Sequence, residues 1–392
     1  MKIGIFTDTY FPQINGVAVS TATLKKQLEV MGHEVYVFTS TDPNAPASEH
    51  HVYRIPSVAF RTQYRLGVFA SPRLVSMITS IGLDVVHTHT EFSLGMLGRI
   101  IAHRSHIPII HTMHTHYEHY LHYIGNFGRF TQTAKSATTK YTAMFCNAVN
   151  LVIAPSGKTK ELLHSYGVRK SIVTIPTGID LESLKVDPCT SKNVEQLRLD
   201  LNISEQDKVI VYVGRISKEK NLDEIIHAME EYLPNNPNTK LLLVGDGPAK
   251  DDIRAMIESS DIEKQVLFAG AQPHDKIQQY YSLGDVFVSA SQSETQGITY
   301  IEALACGVPI VVKEDPCLQT ILEEGKNGFG FTDQKGFLLA LEKLLSDKET
   351  RERFSSFAQN HMEKFSVEAF ARAIEEAYHN LIISEVSYSR VS

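Results

Sequence analysis

Cysteine is scarce in this chain and poorly spaced for metal or disulfide chemistry. Four occur among 392 residues, Cys146, Cys189, Cys306 and Cys317, and none forms a C-x-x-C pair. That spacing excludes a zinc-finger pattern and a disulfide framework, and favours a reducing cytoplasm. No stretch approaches the ~20 apolar residues that a bilayer-spanning helix needs. The apolar run within the opening MKIGIFTDTYFPQ is too short for a secretory leader. Polar, low-hydrophobicity composition is also missing: 43% of residues are apolar and 21% charged, which excludes a disordered chain and fits a soluble protein with a real core.

The length implies two domains or one large one. Charge is uneven between the halves. The formal net charge is −7, yet residues 1–185 hold 17 Lys+Arg against 11 Asp+Glu, a net of +6, while residues 186–392 hold 21 against 34, a net of −13. Thirteen of the 17 histidines lie in the first half. Two windows carry no acid. His50–Leu83 has Arg54, Arg61, Arg65 and Arg73 among Tyr53, Phe60, Tyr64 and Phe69. His119–Lys160 has Arg129, Lys135, Lys140, Lys158 and Lys160 among Tyr120, Tyr123, Phe127, Phe130 and Tyr141. Cations mixed with rings suit an anionic lipid headgroup interface. Single-stranded nucleic acid would suit them too, but no nucleic-acid module is present and the chain as a whole is acidic, so no nucleic-acid partner is expected.

Strand-like apolar runs alternate with helical patterns. Ile3–Thr7, Glu34–Thr39, Asp84–His89, Ile107–Thr112, Leu151–Ala154 and Ile172–Ile175 read as strands of the first half, with helices such as Val17–Met31 and Leu94–His103 between them. The second half continues with Val209–Val213, Lys240–Val244, Val266–Phe268, Asp285–Ser289 and Pro309–Val312. Such alternation predicts an α/β fold with parallel sheets covered on both faces. Two doubly wound domains accommodate that many strands, with ligands at the strands' carboxyl ends and the inter-domain cleft as the default site. Pro176, Gly178 and Pro188 predict a linker near 176–190. The boundaries expected are 1–180, 181–366, and a last helical segment 367–392 that packs back on the first domain.

Four segments carry chemistry. Asn15-Gly16-Val17 opens a helix after the first strand, and Gly16 there lets a ligand approach the backbone. Strand Val209–Val213 runs into Gly214-Arg215-Ile216-Ser217-Lys218-Glu219-Lys220-Asn221. Arg215 and Lys220 could grip a diphosphate there, or be an ordinary solvated charge run. Ser293-Glu294-Thr295-Gln296-Gly297-Ile298-Thr299-Tyr300-Ile301-Glu302 puts two acids around a glycine-led helix start. The amides of Gly297, Ile298 and Thr299 make an anion site, and the carboxylates could hold sugar hydroxyls and a ribose diol. Finally Ile110-His111-Thr112-Met113-His114 delivers His114 to a strand's carboxyl end, as hydrogen-bond donor or proton shuttle. The histidine-rich tract that follows has no HExxH or Cys/His zinc pattern, and Asp-x-Asp occurs nowhere, so no metal site is expected.

Taken together, Gly214-Arg215…Lys220-Asn221 and Glu294-x7-Glu302, with the Asn15-Gly16 loop, the His114 loop and Ile175-Pro176-Thr177-Gly178-Ile179-Asp180, resemble the retaining GT-B glycosyltransferases that use nucleotide-diphosphate sugars. The stretch Thr112-Met113-His114-Thr115-His116-Tyr117-Glu118-His119-Tyr120-Leu121-His122-Tyr123 resembles, within them, the bacterial 1,2-diacylglycerol 3-glucosyltransferases. The resemblance implies a GT-B fold whose first domain meets acceptor and membrane and whose second binds the donor. It implies UDP-glucose as donor, diacylglycerol as acceptor, no metal, and a place on the inner face of the cell membrane in glycolipid and lipoteichoic acid synthesis. Arg215 and Lys220 would neutralise the diphosphate, with Gly16 leaving it room. Glu294 would hold sugar hydroxyls, helped by the amides of Gly297, Ile298 and Thr299. Glu302 would bind the ribose, His114 would contact the sugar, and the base would lie near Gly270 and Ala271. Another lipid acceptor, such as phosphatidylinositol or a glycosyl-diacylglycerol, or a soluble sugar acceptor, fits the same donor motifs. A non-catalytic nucleotide or sugar sensor is a third reading. Where the family has Phe or Glu-Gly after the donor glutamate, this chain has Thr295-Gln296-Gly297.

Overall fold

Strands form where apolar residues run continuously, because parallel strands under two helical layers are buried on both faces. In β1 (Lys2–Phe6), Ile3 and Ile5 pack on one face with Val35, Val37 and Ile374, while Phe6 joins Phe38, Leu94 and Leu97 on the other. In β10 (Lys208–Val213), Val209 and Val211 divide from Ile210 and Tyr212 in the same way. That is the two-residue period of a strand read through two separate cores.

The computed structural model describes residues 1–13, 15–60, 64–67, 71–114, 131–185 and 188–389. It divides into two compact units, Met1–Gly178 with Val367–Ser392, and Ile179–Ser366. The first holds a seven-stranded sheet of order β3-β2-β1-β6-β7-β8-β9. Besides β1 these are β2 (Glu34–Ser40), β3 (Val52–Ile55), β6 (Val85–Thr88), β7 (Ile109–Thr112), β8 (Leu151–Ala154) and β9 (Ile172–Thr174). β4 (Ser57–Phe60) and β5 (Tyr64–Gly67) form a separate antiparallel hairpin. The second unit holds a six-stranded sheet of order β12-β11-β10-β13-β14-β15. Its strands are β10, β11 (Thr239–Val244), β12 (Val266–Gly270), β13 (Val286–Ser289), β14 (Ile310–Lys313) and β15 (Gly328–Phe331). All neighbouring pairs in both large sheets are parallel. The fold is α/β, with two Rossmann-like domains.

In each sheet the strand order reverses once, between β1 and β6 and between β10 and β13. A reversal leaves a crevice at the carboxyl ends, because the connections depart to opposite sides. The segments after β1, β6, β10 and β13 are therefore the ones the fold offers to ligands.

The structure departs from the sequence reading at the sheet edges. The edge strands β3 and β15 and the β4–β5 hairpin were not expected. The chain passes between the units at Gly178 and Ile179, inside the stretch 176–190; within it Glu182–Leu184 is a 3-10 turn, and Pro188 starts helix Pro188–Asp200, a position where its missing N–H costs nothing. The last helix, Val367–Ser389, belongs to the first unit, burying Phe370, Ala371, Ile374 and Tyr378 against β1, β2 and helix Gly16–Val30. Among the described residues, no helix is long and apolar enough to cross a membrane.

Candidate functional site

In the second unit, the segments leaving β10 and β13 are tied together by side chains from both. Lys220 Nζ donates to Glu294 Oε1 at 2.6 Å, and the two side chains are only 19% and 16% exposed. Asn221 Nδ2 donates to Ala290 O at 3.1 Å, and Ser293 Oγ to Glu219 O at 3.2 Å. Asn221 sits in the left-handed region, with φ of 50°, which Asn tolerates better than most residues. The chain can thus turn from the Lys218–Lys220 3-10 turn straight into helix Leu222–Tyr232. A cation and a carboxylate are in this way preset at the strand reversal before any ligand arrives.

Arg215 is exposed. It lines a cavity of about 270 Å³ with Val213, Gly214, Val244, Gly245, Asp246, Ala271, Gln272 and Ile277. The buried Tyr212 hydroxyl donates to Arg215 O at 3.0 Å and fixes the backbone there. Loops after β10 and β11 are zipped by Ile216 N to Asp246 O at 3.0 Å and Ala249 N to Ile216 O at 3.1 Å. Gly245, at φ 144°, is required: a Cβ would lie 1.9 Å from Gly214 O. Gly270 closes the rim, accepting from Gly245 N at 2.8 Å, and Ala271 beside it is exposed on the lining.

Gly297 starts helix Ile298–Ala305 from the left-handed region, with φ of 83°. A Cβ there would meet the Tyr300 ring at 2.6 Å. The amides in a helix's first turn have no acceptor within the helix and carry partial positive charge. Ile298 and Thr299 are half-buried and Gly297 is buried. One turn on, Glu302 is 5% exposed, and the fully buried Tyr281 hydroxyl donates to its Oε2 at 2.7 Å. Burial pushes the Glu302 carboxyl above the usual range, and the Tyr281 bond opposes that. Lys220 and Glu294 are thus brought together and Arg215 lines the neighbouring cavity. Glu302 is anchored inward, a partnership 21 residues apart in sequence that no local motif signals.

In the first unit, Asp8 leaves β1 and binds the segment after β6. It accepts from Thr90 Oγ1 at 2.6 Å, from Leu94 N at 3.1 Å and from Ser93 Oγ. This carboxylate caps helix Ser93–Ser105, and burial pushes its pKa up. His114 follows β7. Its Nε2 lies 2.8 Å from Nδ1 of His89, which follows β6. Desolvation, then the neighbouring His111, lowers the His114 pKa to about 3, so the ring is neutral near pH 7. Gly16 begins helix Gly16–Val30, whose Asn15 side chain accepts from Ala18 N at 3.0 Å. A Cβ at Gly16 would meet nothing within 4 Å among the described residues. Asp8, His87, His89 and His111 escaped the sequence reading. The alternation His87-Thr88-His89-Thr90 at a strand end was the available signal.

Other expectations meet the structure unevenly. Arg54 of the first acid-free window pairs with Glu49, and Tyr53 stacks on Phe38 at 5.3 Å. Tyr141 of the second donates to Glu91 O at 2.6 Å. Thr115–Tyr123, Phe127, Arg129, Phe130, Arg61 and Phe69 lie outside the described residues, as do the side chains of Phe60, Tyr64 and Arg65. One trio of metal-ligating side chains converges among the described residues, Glu29, His50 and His51. Glu29 there already holds Lys25 at 2.6 Å.

Two family descriptions match the chain: Glycosyltransferase Family 4 over residues 14–183 and Glycosyl transferases group 1 over residues 193–361. The chain is 37% identical over 98% of its length to an alpha-monoglucosyldiacylglycerol synthase of Streptococcus pneumoniae, covering 87% of that protein. It is 34% identical over 97% of its length to a protein of the same name from Acholeplasma laidlawii, covering 98% of it. Among solved structures, Anabaena HepE in complex with UDP superposes with a TM-score of 0.77 at 21% identity, over 97% of this chain and 100% of that one. Both halves match and the near-full-length identities exceed 30%, so the chain belongs to the group 1 glycosyltransferases of GT-B fold and is a hexosyltransferase.

Proposed function

We propose that the protein moves glucose from UDP-glucose to the 3-hydroxyl of 1,2-diacylglycerol with retention, giving α-glucosyl-diacylglycerol. The observation that carries this is the near-full-length identity to two proteins named alpha-monoglucosyldiacylglycerol synthase. The geometry supplies a physical reason. Breaking the sugar–phosphate bond leaves negative charge on the diphosphate. Arg215, Lys220 and the amides at Gly297, Ile298 and Thr299 meet that charge in place of a metal. Preorganised donors of this kind are commonly the largest catalytic contribution, and three hydrogen bonds tie the Lys220 segment to the one that carries Glu294.

In this reading Glu294 holds donor-sugar hydroxyls and Glu302 binds the ribose. The base lies against Gly270 and Ala271, Gly16 leaves room for the diphosphate, and His114 contacts the sugar. The departing phosphate oxygen takes the acceptor proton, and the acceptor attacks from the face it leaves. The lipid acceptor places the protein at the inner face of the cell membrane. Support comes from the +6 net charge of residues 1–185 and from exposed Phe11, Phe92 and Met144, with Lys140 exposed one turn before Met144. Each basic residue close to an anionic leaflet contributes ~1 kcal/mol.

A panel of nucleotide sugars against diacylglycerol in anionic mixed micelles, with product mass and anomeric configuration read out in EDTA, tests the reading. UDP-glucose with diacylglycerol should give the α-linked monoglucoside. Equal turnover on a water-soluble acceptor without lipid would defeat it.

A further inference from the structure

Four histidines crowd the carboxyl ends of β6 and β7, and their hydrogen bonds are unequal. His87 is bonded at both nitrogens, Nδ1 with the Tyr378 hydroxyl and Nε2 with Thr112 Oγ1, each at 2.7 Å. His111 Nδ1 meets Thr88 Oγ1 at 3.0 Å, and its Nε2 lies 3.4 Å from Glu91 Oε1. His89 and His114 stack, with ring centres 5.1 Å apart and planes 21° apart, and their Nδ1 and Nε2 atoms are 2.8 Å apart. The other nitrogen of His89, Nε2, is buried and has no hydrogen-bond partner among the described residues.

Both rings are neutral, since burial first and neighbouring histidines second disfavour their charged forms. One proton therefore lies between His89 Nδ1 and His114 Nε2, and the network decides which ring owns it. If His114 donated, the His89 proton would sit on Nε2, as a buried N–H without an acceptor. Orphaned buried N–H groups are the rarer and costlier kind of unsatisfied polar atom. If His89 donates, Nε2 keeps only an unused lone pair, and the His114 proton is driven to Nδ1.

We propose that His89 is a positioning residue that fixes His114 as its Nδ1–H tautomer, so that His114 offers a hydrogen-bond donor to a lone pair on the donor sugar. This rests on the reading that His114 meets that sugar. His89 makes its contribution through His114, with His87 and Tyr378 packing behind it. His87 and His89 rings lie 4.2 Å apart, and His87 meets Tyr378 edge-on at 5.7 Å.

The test is the full-length protein labelled with ¹⁵N-histidine, its ring tautomers read by two-bond proton–nitrogen spectra and His114 assigned by difference from His114→Gln. Wild type should show His114 protonated at Nδ1. His89→Asn, which keeps a donor amide near the Nδ1 position, should preserve that tautomer and most activity. His89→Ala should release His114 towards Nε2–H and lower kcat about tenfold with little change in donor KM. A wild-type His114 protonated at Nε2, or a tautomer unmoved in His89→Ala, would overturn the assignment. The wild-type and Asn spectra decide even if the Ala variant fails to fold. An Nδ1–H tautomer alongside full activity of His114→Gln would overturn the sugar contact while leaving the tautomer standing.

Discussion

The Lys220 ammonium and the Glu294 carboxylate are paired at 2.6 Å across the point where the second sheet reverses its strand order. One residue follows β10 and the other follows β13, 74 positions apart. Neither can move without disturbing the other's segment.

Lys220→Ala removes a cation from the proposed diphosphate site. Loss of one preorganised donor costs ~2.7–4 kcal/mol in the barrier, so kcat/KM should fall by about 10²–10³ in steady-state transfer. Lys220→Arg should recover only part of this, because a planar fork does not replace a compact ammonium against Glu294. An alanine variant within twofold of wild type would remove Lys220 from the site.

Gly297→Ala places a Cβ 2.6 Å from the Tyr300 ring at φ of 83°. The left-handed backbone alone costs a non-glycine residue ~1–2 kcal/mol, and the ring must move as well. The thermal midpoint should drop by several degrees and turnover should fall with it. Unchanged calorimetry would show that the turn can relax freely.

Tyr281→Phe strips the donor from Glu302, leaving a 5%-exposed carboxyl without that bond. An unsatisfied buried polar group costs ~1–3 kcal/mol. Denaturant titration should show that loss, and donor KM should rise more than kcat falls. Were KM unmoved, Glu302 would be structural only.

Acid should destabilise the first unit as the pH falls below the ordinary histidine range. His87, His89 and His114 are held neutral when folded, His114 down to about 3 from an ordinary 6.5. Below 6.5 the unfolded chain binds protons that the folded one refuses, so stability falls as pH drops through that window. Each ring contributes up to about 1.4 kcal/mol per pH unit. Asp8, pushed upward by burial, works in the opposite sense, losing its contribution as pH rises past the carboxylate range. Thermal midpoints should fall between pH 7 and 5, with a shallower slope in His114→Asn. A flat profile would mean the rings are protonated when folded.

The sequence carried the central strands well, since strands such as β1, β8 and β10 are apolar on both faces. Two of the edge strands did not stand out: β3 reads Val52-Tyr53-Arg54-Ile55 and β15 reads Gly328-Phe329-Gly330-Phe331, with too little apolar periodicity to mark them. Pro188 looked like punctuation yet opens a helix. Within the site, Arg215, Lys220, Glu294 and Gly297 were legible because each follows a strand or starts a helix. Tyr281 beneath Glu302 and His89 beside His114 were not. These partners are set by which strands lie adjacent, and strand order is written in no local pattern.

The most direct measurement is calorimetric binding of UDP-glucose in EDTA to wild type and to the Arg215→Ala/Lys220→Ala double variant, with folding of both checked by circular dichroism. Metal-free binding to wild type and a loss of at least about 100-fold in the folded double variant is the expected result. Equal affinity in both proteins, or binding to wild type only after a divalent cation is added, would contradict a diphosphate held by these two side chains.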